Sequence, residues 1–97
     1  MTNSAELSYI KEKSLPELKK AGVLKSAIFG SFARGDANKK SDVDFLVELP
    51  KSASLVDFIR LKQSLESSLG KRVDLVTYRS ISKFLKNKIL RRQIQLF

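Results

Sequence analysis

The sequence predicts one small domain of the α/β (α+β) class, with helices packed against a small mixed sheet of three to four strands. Its 97 residues are enough for one hydrophobic core and too few for a second lobe. Short apolar runs that end at glycine or proline predict strands, and longer segments with apolar residues three or four apart predict helices. The expected order over residues 1–97 is therefore helix, strand, strand, helix, strand, helix.

Three segments have helical spacing. Residues 4–21 form the first, and Ser14-Leu15-Pro16-Glu17 within it matches a capping box with proline in the first turn, so we expect a kink or a restart there. Residues 53–69 form an amphipathic helix that ends before Gly70. A basic helix is expected over residues 81–91. The apolar stripe predicted for the second helix consists of Leu55, Phe58, Ile59, Lys62, Leu65 and Leu69.

The strands are predicted from alternating, β-branched segments between the helices. They are Leu24 to Phe29, Asp42 to Leu49 and Arg72 to Tyr78. Residues 31–41 are small and polar and predict a loop with room for one helical turn at its start. The alternating residues 93–97 fit either a short edge strand or a frayed end, and the sequence leaves both open.

The composition excludes several kinds of chemistry. The chain has no cysteine and no histidine, which removes disulfides, thiolate zinc sites, cysteine nucleophiles and imidazole bases. Any bound metal must then have oxygen ligands, which favours Mg²⁺ or Mn²⁺. No apolar run approaches the ~20 residues that cross a bilayer, and the N-terminus lacks the apolar segment of a signal peptide. We therefore expect a cytoplasmic protein that does not enter a membrane.

The net charge of +9 is concentrated near the C-terminus. Residues 1–70 hold 11 Lys and Arg and nine Asp and Glu, whereas residues 71–97 hold eight Lys and Arg and one acid, Asp74. Such a region fits a polyanionic partner, and it fits equally well a solvated helix face that keeps the protein soluble.

Three aspartates stand where strands normally carry apolar side chains. Asp42 and Asp44 are two residues apart on one predicted strand, so their side chains leave the same face. Asp74 lies between Val73 and Leu75 in another. Two carboxylates about 4 Å apart repel by roughly 4 kcal/mol at an effective dielectric constant of about 20, and a divalent metal would offset that repulsion. Taken singly, each feature also fits a solvated strand edge or surface position.

The tripeptide Phe29-Gly30-Ser31 supplies the second half of a candidate site. Gly30 follows a predicted strand and permits close backbone approach, and Ser31 begins the next turn. Backbone N–H groups there, with the Ser31 hydroxyl, could hold a phosphate group. Alone, the pair also fits an ordinary turn.

Together these residues resemble a known family. Gly30-Ser31, then ten residues, then Asp42-x-Asp44 is similar to the signature of the nucleotidyltransferase superfamily, which has the DNA polymerase β-like fold. The longer string GSFARGDANKKSDVDFLVE resembles the minimal nucleotidyltransferases (MNT) of bacteria and archaea, many of which are paired with a HEPN-domain protein. The resemblance extends from about Leu18 to the helix beyond Asp74, which is most of the chain.

The resemblance implies a role for each site residue. Asp42 and Asp44 would hold two Mg²⁺ ions, with Mn²⁺ as the alternative metal, and Asp74 would complete the site as a metal ligand or base. Gly30 and Ser31 would hold the β- and γ-phosphates of a nucleotide. Arg34, three residues after Ser31 in the same string, would either pair with phosphate as a forked donor or hold its own loop in place.

The resemblance also implies a function. The chain would move a nucleoside monophosphate, most simply AMP from ATP, onto a hydroxyl group of a partner protein, as the antitoxin of a HEPN/MNT toxin–antitoxin pair. A chain this small would need that partner to supply the acceptor. Two alternatives stay open: a non-catalytic subunit that acts by contact alone, and a nucleic-acid-binding module that uses the basic C-terminal region. The second is less favoured because no nucleic-acid-binding signature accompanies the charge. A homo-oligomer is also left open.

Overall fold

A four-stranded mixed sheet forms the centre of the protein. The computed structural model describes residues 4–38, 40–81, 89 and 92–97. The strands are β1 (Lys25–Phe29), β2 (Val43–Glu48), β3 (Val73–Thr77) and β4 (Ile94–Gln95). Their order across the sheet is β3-β2-β1-β4, with β1 antiparallel to β2 and β4, and β2 parallel to β3. The predicted fold class is confirmed, and the C-terminal alternation forms an edge strand. Most of the basic helix expected over residues 81–91 lies outside the described residues.

The described helices are α1 (Ser4–Lys20), α2 (Gly30–Arg34) and α3 (Leu55–Leu69). The expected restart of α1 is wrong, because the helix continues through Pro16. The buried Ser14 hydroxyl does not cap a new helix; it donates to the Lys11 carbonyl oxygen at 3.3 Å. Ile10 and Leu18 are fully buried on either side of the proline, so both halves of the helix pack into the same core. None of the described helices is long and apolar enough to span a membrane.

Helix α3 has well-defined ends. The Ser54 hydroxyl accepts a hydrogen bond from the Asp57 N–H at 3.2 Å, and the Asp57 carboxylate accepts one from the Ser54 N–H at 2.8 Å. This reciprocal capping box fixes the start of the helix. Gly70 ends it in the left-handed conformation, where its N–H bonds to the Glu66 carbonyl oxygen.

The predicted apolar stripe of α3 is partly wrong. Leu55 and Ile59 are 73% and 46% exposed, Lys62 is exposed, and Leu61, which the stripe omitted, is buried. The helix carries apolar residues on two faces, and only contacts with α1 and β3 decide which face turns inward. The buried residues of α3 are Leu61, Leu65 and Leu69.

The hydrophobic core and the aspartates lie on opposite faces of the sheet. Val43 and Phe45 of β2 and Val73 of β3 join the core cluster with α1 and α3. Since successive strand residues point to opposite faces, Asp44 and Asp74 lie on the other face of the sheet. They lie at the end where β1 finishes and β2 and β3 begin, which we call the acidic end. The distal end is where β1 begins, β2 and β3 finish and α3 starts.

Candidate active site

Two aspartates lie side by side at the acidic end. The parallel register pairs Asp44 of β2 with Asp74 of β3, and their carboxyl groups are close enough to share a hydrogen bond. Asp42 lies just before β2, near enough for its charge to act on Asp44. Of the three aspartates that the sequence singled out, the structure pairs Asp44 with Asp74 and leaves Asp42 nearby at the start of β2.

The acidic surroundings change the protonation of Asp44. Its pKa is raised to about 6, chiefly by burial, and then by the negative charges of Asp74 and Asp42. The positive charge of Arg34 opposes this rise. An unperturbed aspartate titrates at about 3.9, so the site disfavours a second negative charge. A bound cation would remove that penalty because it favours the ionised carboxylates.

Gly30 lies directly against Asp44. Its φ of +73° is in the left-handed region, and a Cβ at this position would overlap the Asp44 carboxylate. Register places the preceding residue, Phe29, opposite Asp44 across β1 and β2. In the sequence, Gly30 was expected to allow the approach of a phosphate. The structure supplies a second reason, which is that only glycine leaves room for the carboxylate.

An open depression of about 710 Å³ joins the glycine turn with Asp44 and two arginines. Ser31 follows Gly30 at its edge. Arg34 lines it too, and the Arg34 Nε lies 3.3 Å from the Asp36 Oδ2. Arg34 thus pairs within its own loop and also faces the depression, and its binding to phosphate stays a prediction. The lining residues are Phe29, Gly30, Ser31, Arg34, Asp44, Ile89 and Arg92.

Asp42 is held differently from the other two aspartates. Its Oδ1 lies 3.2 Å from the Nε of Arg72, with the two side chains 46% and 80% exposed. Within the part of the chain that the structure describes, no three carboxylates already lie in the arrangement of a metal site. This agrees with the pairing of Asp42 to a guanidinium. An ion pair this exposed contributes little stability, so a metal ion can displace it.

The donor set fits a hard divalent cation. Only carboxylate and hydroxyl oxygens are offered, and the acids repel one another without a counterion. Mg²⁺ and Mn²⁺ prefer such ligands. Asp44 and Asp74 could hold such a cation together, and Asp42 lies nearby in its ion pair with Arg72.

Two cations of the site were missed by the sequence analysis as site residues. Arg92 reaches the depression because β4 pairs with β1, which brings the chain just before β4 to the acidic end. Arg72 reaches Asp42 because of the strand pairing. The Arg72 carbonyl oxygen accepts a hydrogen bond from the Val43 N–H, which fixes the start of β3 beside the start of β2. Both depend on strand pairing between distant segments. The one signal in the sequence was the general excess of basic residues after residue 70.

Paired aspartates opposite a Gly-Ser turn and two arginines define a domain suited to metal-assisted phosphate chemistry. Residues 10–96 match the family model described as the nucleotidyltransferase domain. The chain belongs to this family and is a nucleotidyltransferase, which confirms the resemblance and the enzyme class expected from the sequence.

Relatives support the same family. The curated "Putative protein adenylyltransferase MJ0435" of Methanocaldococcus jannaschii is 46% identical over 90 residues, which cover 93% of this chain and 97% of that protein. A solved structure described as a "putative minimal nucleotidyltransferase" superposes with a TM-score of 0.80 at 39% identity, over 91% of this chain and 90% of the other. The fold is therefore that of the minimal nucleotidyltransferases.

A further solved structure is an assembly of two kinds of protein. It is described as a tri-AMPylated HEPN toxin of Shewanella oneidensis in complex with an MNT antitoxin. The matched chain is 25% identical, with a TM-score of 0.71, and the match covers 93% of this chain and 71% of that one. The present chain thus resembles an antitoxin of the MNT type.

Proposed function

We propose that this protein transfers AMP from ATP to a hydroxyl group of a HEPN-domain partner, with Mg²⁺ as its cofactor, and that it is the antitoxin of a toxin–antitoxin pair. The observation that carries the proposal is the Asp44–Asp74 pair set against the Gly30 turn. The adenylyltransferase name of one relative and the AMPylated toxin in one solved complex supply the transferred group and the partner class.

The metal would be held by Asp44 and Asp74, joined by Asp42. When bound, Mg²⁺ would acidify the attacking hydroxyl and stabilise the charge of the leaving pyrophosphate. Two ions fit the number of carboxylates, and Mn²⁺ could replace Mg²⁺ because it accepts the same ligands. The carboxylates place negative charge at a half-buried position of the sheet, and this charge would attract the metal ion.

The nucleotide would lie in the depression beside Gly30. The absence of a Cβ at Gly30 lets a phosphate come close to the backbone, and the Ser31 hydroxyl can donate to a phosphate oxygen. Arg34 and Arg92 line the same depression, and guanidinium groups bind phosphate as forked donors. These residues orient the triphosphate toward the aspartates.

The acceptor would approach Asp74, which is exposed whereas Asp44 is half-buried. In the transfer, the acceptor oxygen forms a bond to the α-phosphorus while the bond from that phosphorus to the pyrophosphate oxygen breaks. The hydroxyl proton leaves to Asp74 or to water. The products are an AMP-modified side chain and pyrophosphate.

The test is to incubate the purified protein with Mg²⁺, a HEPN-domain protein from the same genome and ATP labelled at either the α- or the γ-phosphate. We expect the partner to acquire label from α-labelled ATP and none from γ-labelled ATP. Asp44→Asn should lower the rate by at least ~10³-fold. Glu48→Gln is the matched control, since Glu48 is exposed on the same strand at the distal end.

Other outcomes identify other functions. A tight complex without label transfer would contradict the enzymatic proposal and favour a subunit that acts by contact alone. Full activity of Asp44→Asn would show that the chemistry lies elsewhere. Salt-sensitive binding to RNA or DNA with no transfer would favour the nucleic-acid-binding alternative.

A further inference from the structure

An exposed apolar patch lies on the outer side of the first two turns of α3. Ile59 follows Val56 by three residues and Leu55 by four, so its side chain is a neighbour of both on the helix surface. Their exposed fractions are 73%, 54% and 46%. The inward face of the same helix is already packed against the core, so α3 carries more apolar surface than the fold buries. Contiguous exposed patches of this kind are typical of protein interfaces.

We propose that this outer apolar patch, Leu55, Val56 and Ile59, is the docking surface for the HEPN-domain partner, and that the partner offers an apolar centre with an acidic rim. The identity of the partner rests on the proposed function. The location and the chemistry of the surface rest on the structure of α3.

Charge around the patch selects the kind of occupant. Lys62 follows Ile59 by three residues and Arg60 follows Val56 by four, so cations flank the patch on both sides of the helix, and both are exposed. The nearby Asp57 is engaged with Ser54 in the cap. An acidic partner surface complements this arrangement.

Two other occupants fit the patch less well. A second copy of the chain would bring the same basic flanks and its own net charge of +9, so like charges would oppose a symmetric dimer. Nucleic acid would meet aliphatic side chains, which lack the aromatic rings on which bases stack. An acidic protein satisfies both the apolar centre and the basic flanks.

The position of the patch separates binding from chemistry. Because α3 crosses from the end of β2 to the start of β3, its first turns lie at the distal end of the sheet. A partner held there leaves the depression at the acidic end open for ATP. Binding at the patch and transfer at the aspartates are therefore expected to respond to different substitutions.

The experiment measures the affinity of the purified HEPN-domain protein for the wild type, Leu55→Ser and Ile59→Ser by isothermal titration calorimetry. We expect each substitution to weaken binding by at least about tenfold. Tyr9→Ser is the matched control, because Tyr9 is 45% exposed on α1, and it should change affinity by less than about twofold. Thermal unfolding checks that all variants remain folded. Unchanged affinity in Leu55→Ser and Ile59→Ser, or no binding by the wild type, would overturn the proposal.

Two further readouts test the charge and the occupant. Lys62→Glu should weaken binding by about three- to tenfold and reduce its salt dependence, whereas tighter binding would contradict an acidic rim. Light scattering after size exclusion gives the oligomeric state. A wild-type dimer that dissociates in Leu55→Ser would identify a second copy as the occupant and overturn the proposal.

The two proposals fail in different ways. Lost binding in Leu55→Ser, together with no label transfer by the wild type, retains the docking surface and refutes adenylyl transfer. Label transfer by the wild type, together with unchanged affinity in Leu55→Ser, retains the enzyme and refutes the surface.

Discussion

The two ends of the sheet are built from the same three strands and differ in what they leave exposed. At the acidic end, Asp44 and Asp74 stand beside each other, and Gly30 leaves space for one of them. At the distal end, the chain turns into α3 and exposes Leu55, Val56 and Ile59. At the acidic end, carboxylate charge is partly buried, which is unfavourable. At the distal end, apolar side chains are exposed to water, which is also unfavourable.

Neither end of the sheet is arranged for the stability of the isolated chain. A fold selected for stability alone would not set two carboxylates in register, nor expose three aliphatic residues on one helix. Each departure would become favourable if the proposed ligands bind, namely a metal and a nucleotide at the acidic end and a partner protein at the distal end. In the core between the two ends, most strand residues that face α1 and α3 are apolar and buried, and the buried polar one, Ser26, is satisfied because its hydroxyl donates to the Leu46 carbonyl oxygen at 2.9 Å.

The largest expected effect contrasts the two faces of α3. Leu65→Ala should lower the free energy of unfolding by about 3 kcal/mol, because Leu65 is fully buried and its removal leaves a cavity. Leu55→Ala should change it by less than about 0.5 kcal/mol, since Leu55 is mostly exposed. Urea denaturation of both variants measures this. Equal losses would mean that the outer apolar patch is part of the core.

A second contrast concerns glycines with positive φ. Gly30→Ala should reduce transfer by about 10²-fold, because the new Cβ displaces the Asp44 carboxylate. Gly70→Ala is the control, since Gly70 has a φ of +65° with nothing within 4 Å of the added Cβ. It should cost about 1–2 kcal/mol of stability and leave the rate per folded molecule unchanged. Similar rates for both variants would show that Gly30 does not position Asp44.

A third contrast concerns cations at the two ends. Arg92→Ala should raise the KM for ATP about five- to tenfold, because Arg92 lines the depression that would hold the phosphates. Arg79→Ala, an exposed cation at the distal end, should leave it unchanged. Steady-state kinetics with varied ATP measure both. Equal KM values would place the triphosphate away from Arg92.

The smallest expected effect is on the pH dependence of stability without metal. The pKa of Asp44 is raised to about 6 in the folded protein and is about 3.9 in the unfolded chain. The folded state therefore binds the proton more tightly, and the free energy of unfolding falls as pH rises from about 4 through 6. Asp44→Asn should remove this fall and be about 1 kcal/mol more stable than the wild type at pH 7, a value reduced for the partial exposure of the group.

Denaturation in EDTA at a series of pH values makes this measurement, and added Mg²⁺ should cancel the difference. Equal stability of the two proteins at pH 4 and pH 7 would show that Asp44 carries no unfavourable charge.

The sequence predicted the features that depend on local pattern. Every described strand was located within a residue or two, and β4 was one of the two structures left open for residues 93–97. Asp42, Asp44 and Gly30 could be singled out because strand periodicity and a strand-ending glycine are local signals, and their roles in a site stay predictions. The capping box that begins α3 is equally local, and the predicted start of that helix lay close to it.

What the sequence missed depends on contacts between distant segments. Nothing in the spacing of α3 tells that Leu61 turns inward while Leu55 turns outward, because α1 and β3 make that choice. Pro16 stays inside α1 because Ile10 and Leu18 pack into the same core. The pairing of Arg72 with Asp42 and the arrival of Arg92 at the depression require the completed sheet.

The most direct test of the account is the rate of AMP transfer at increasing concentrations of the HEPN-domain partner. Leu55→Ser should raise the partner concentration that gives half the maximal rate by at least about tenfold and leave the maximal rate unchanged. Asp44→Asn should lower the maximal rate by at least ~10³-fold without changing the affinity for the partner measured by calorimetry. If Leu55→Ser lowers the maximal rate, or Asp44→Asn abolishes partner binding, the separation of chemistry and docking between the two ends is contradicted.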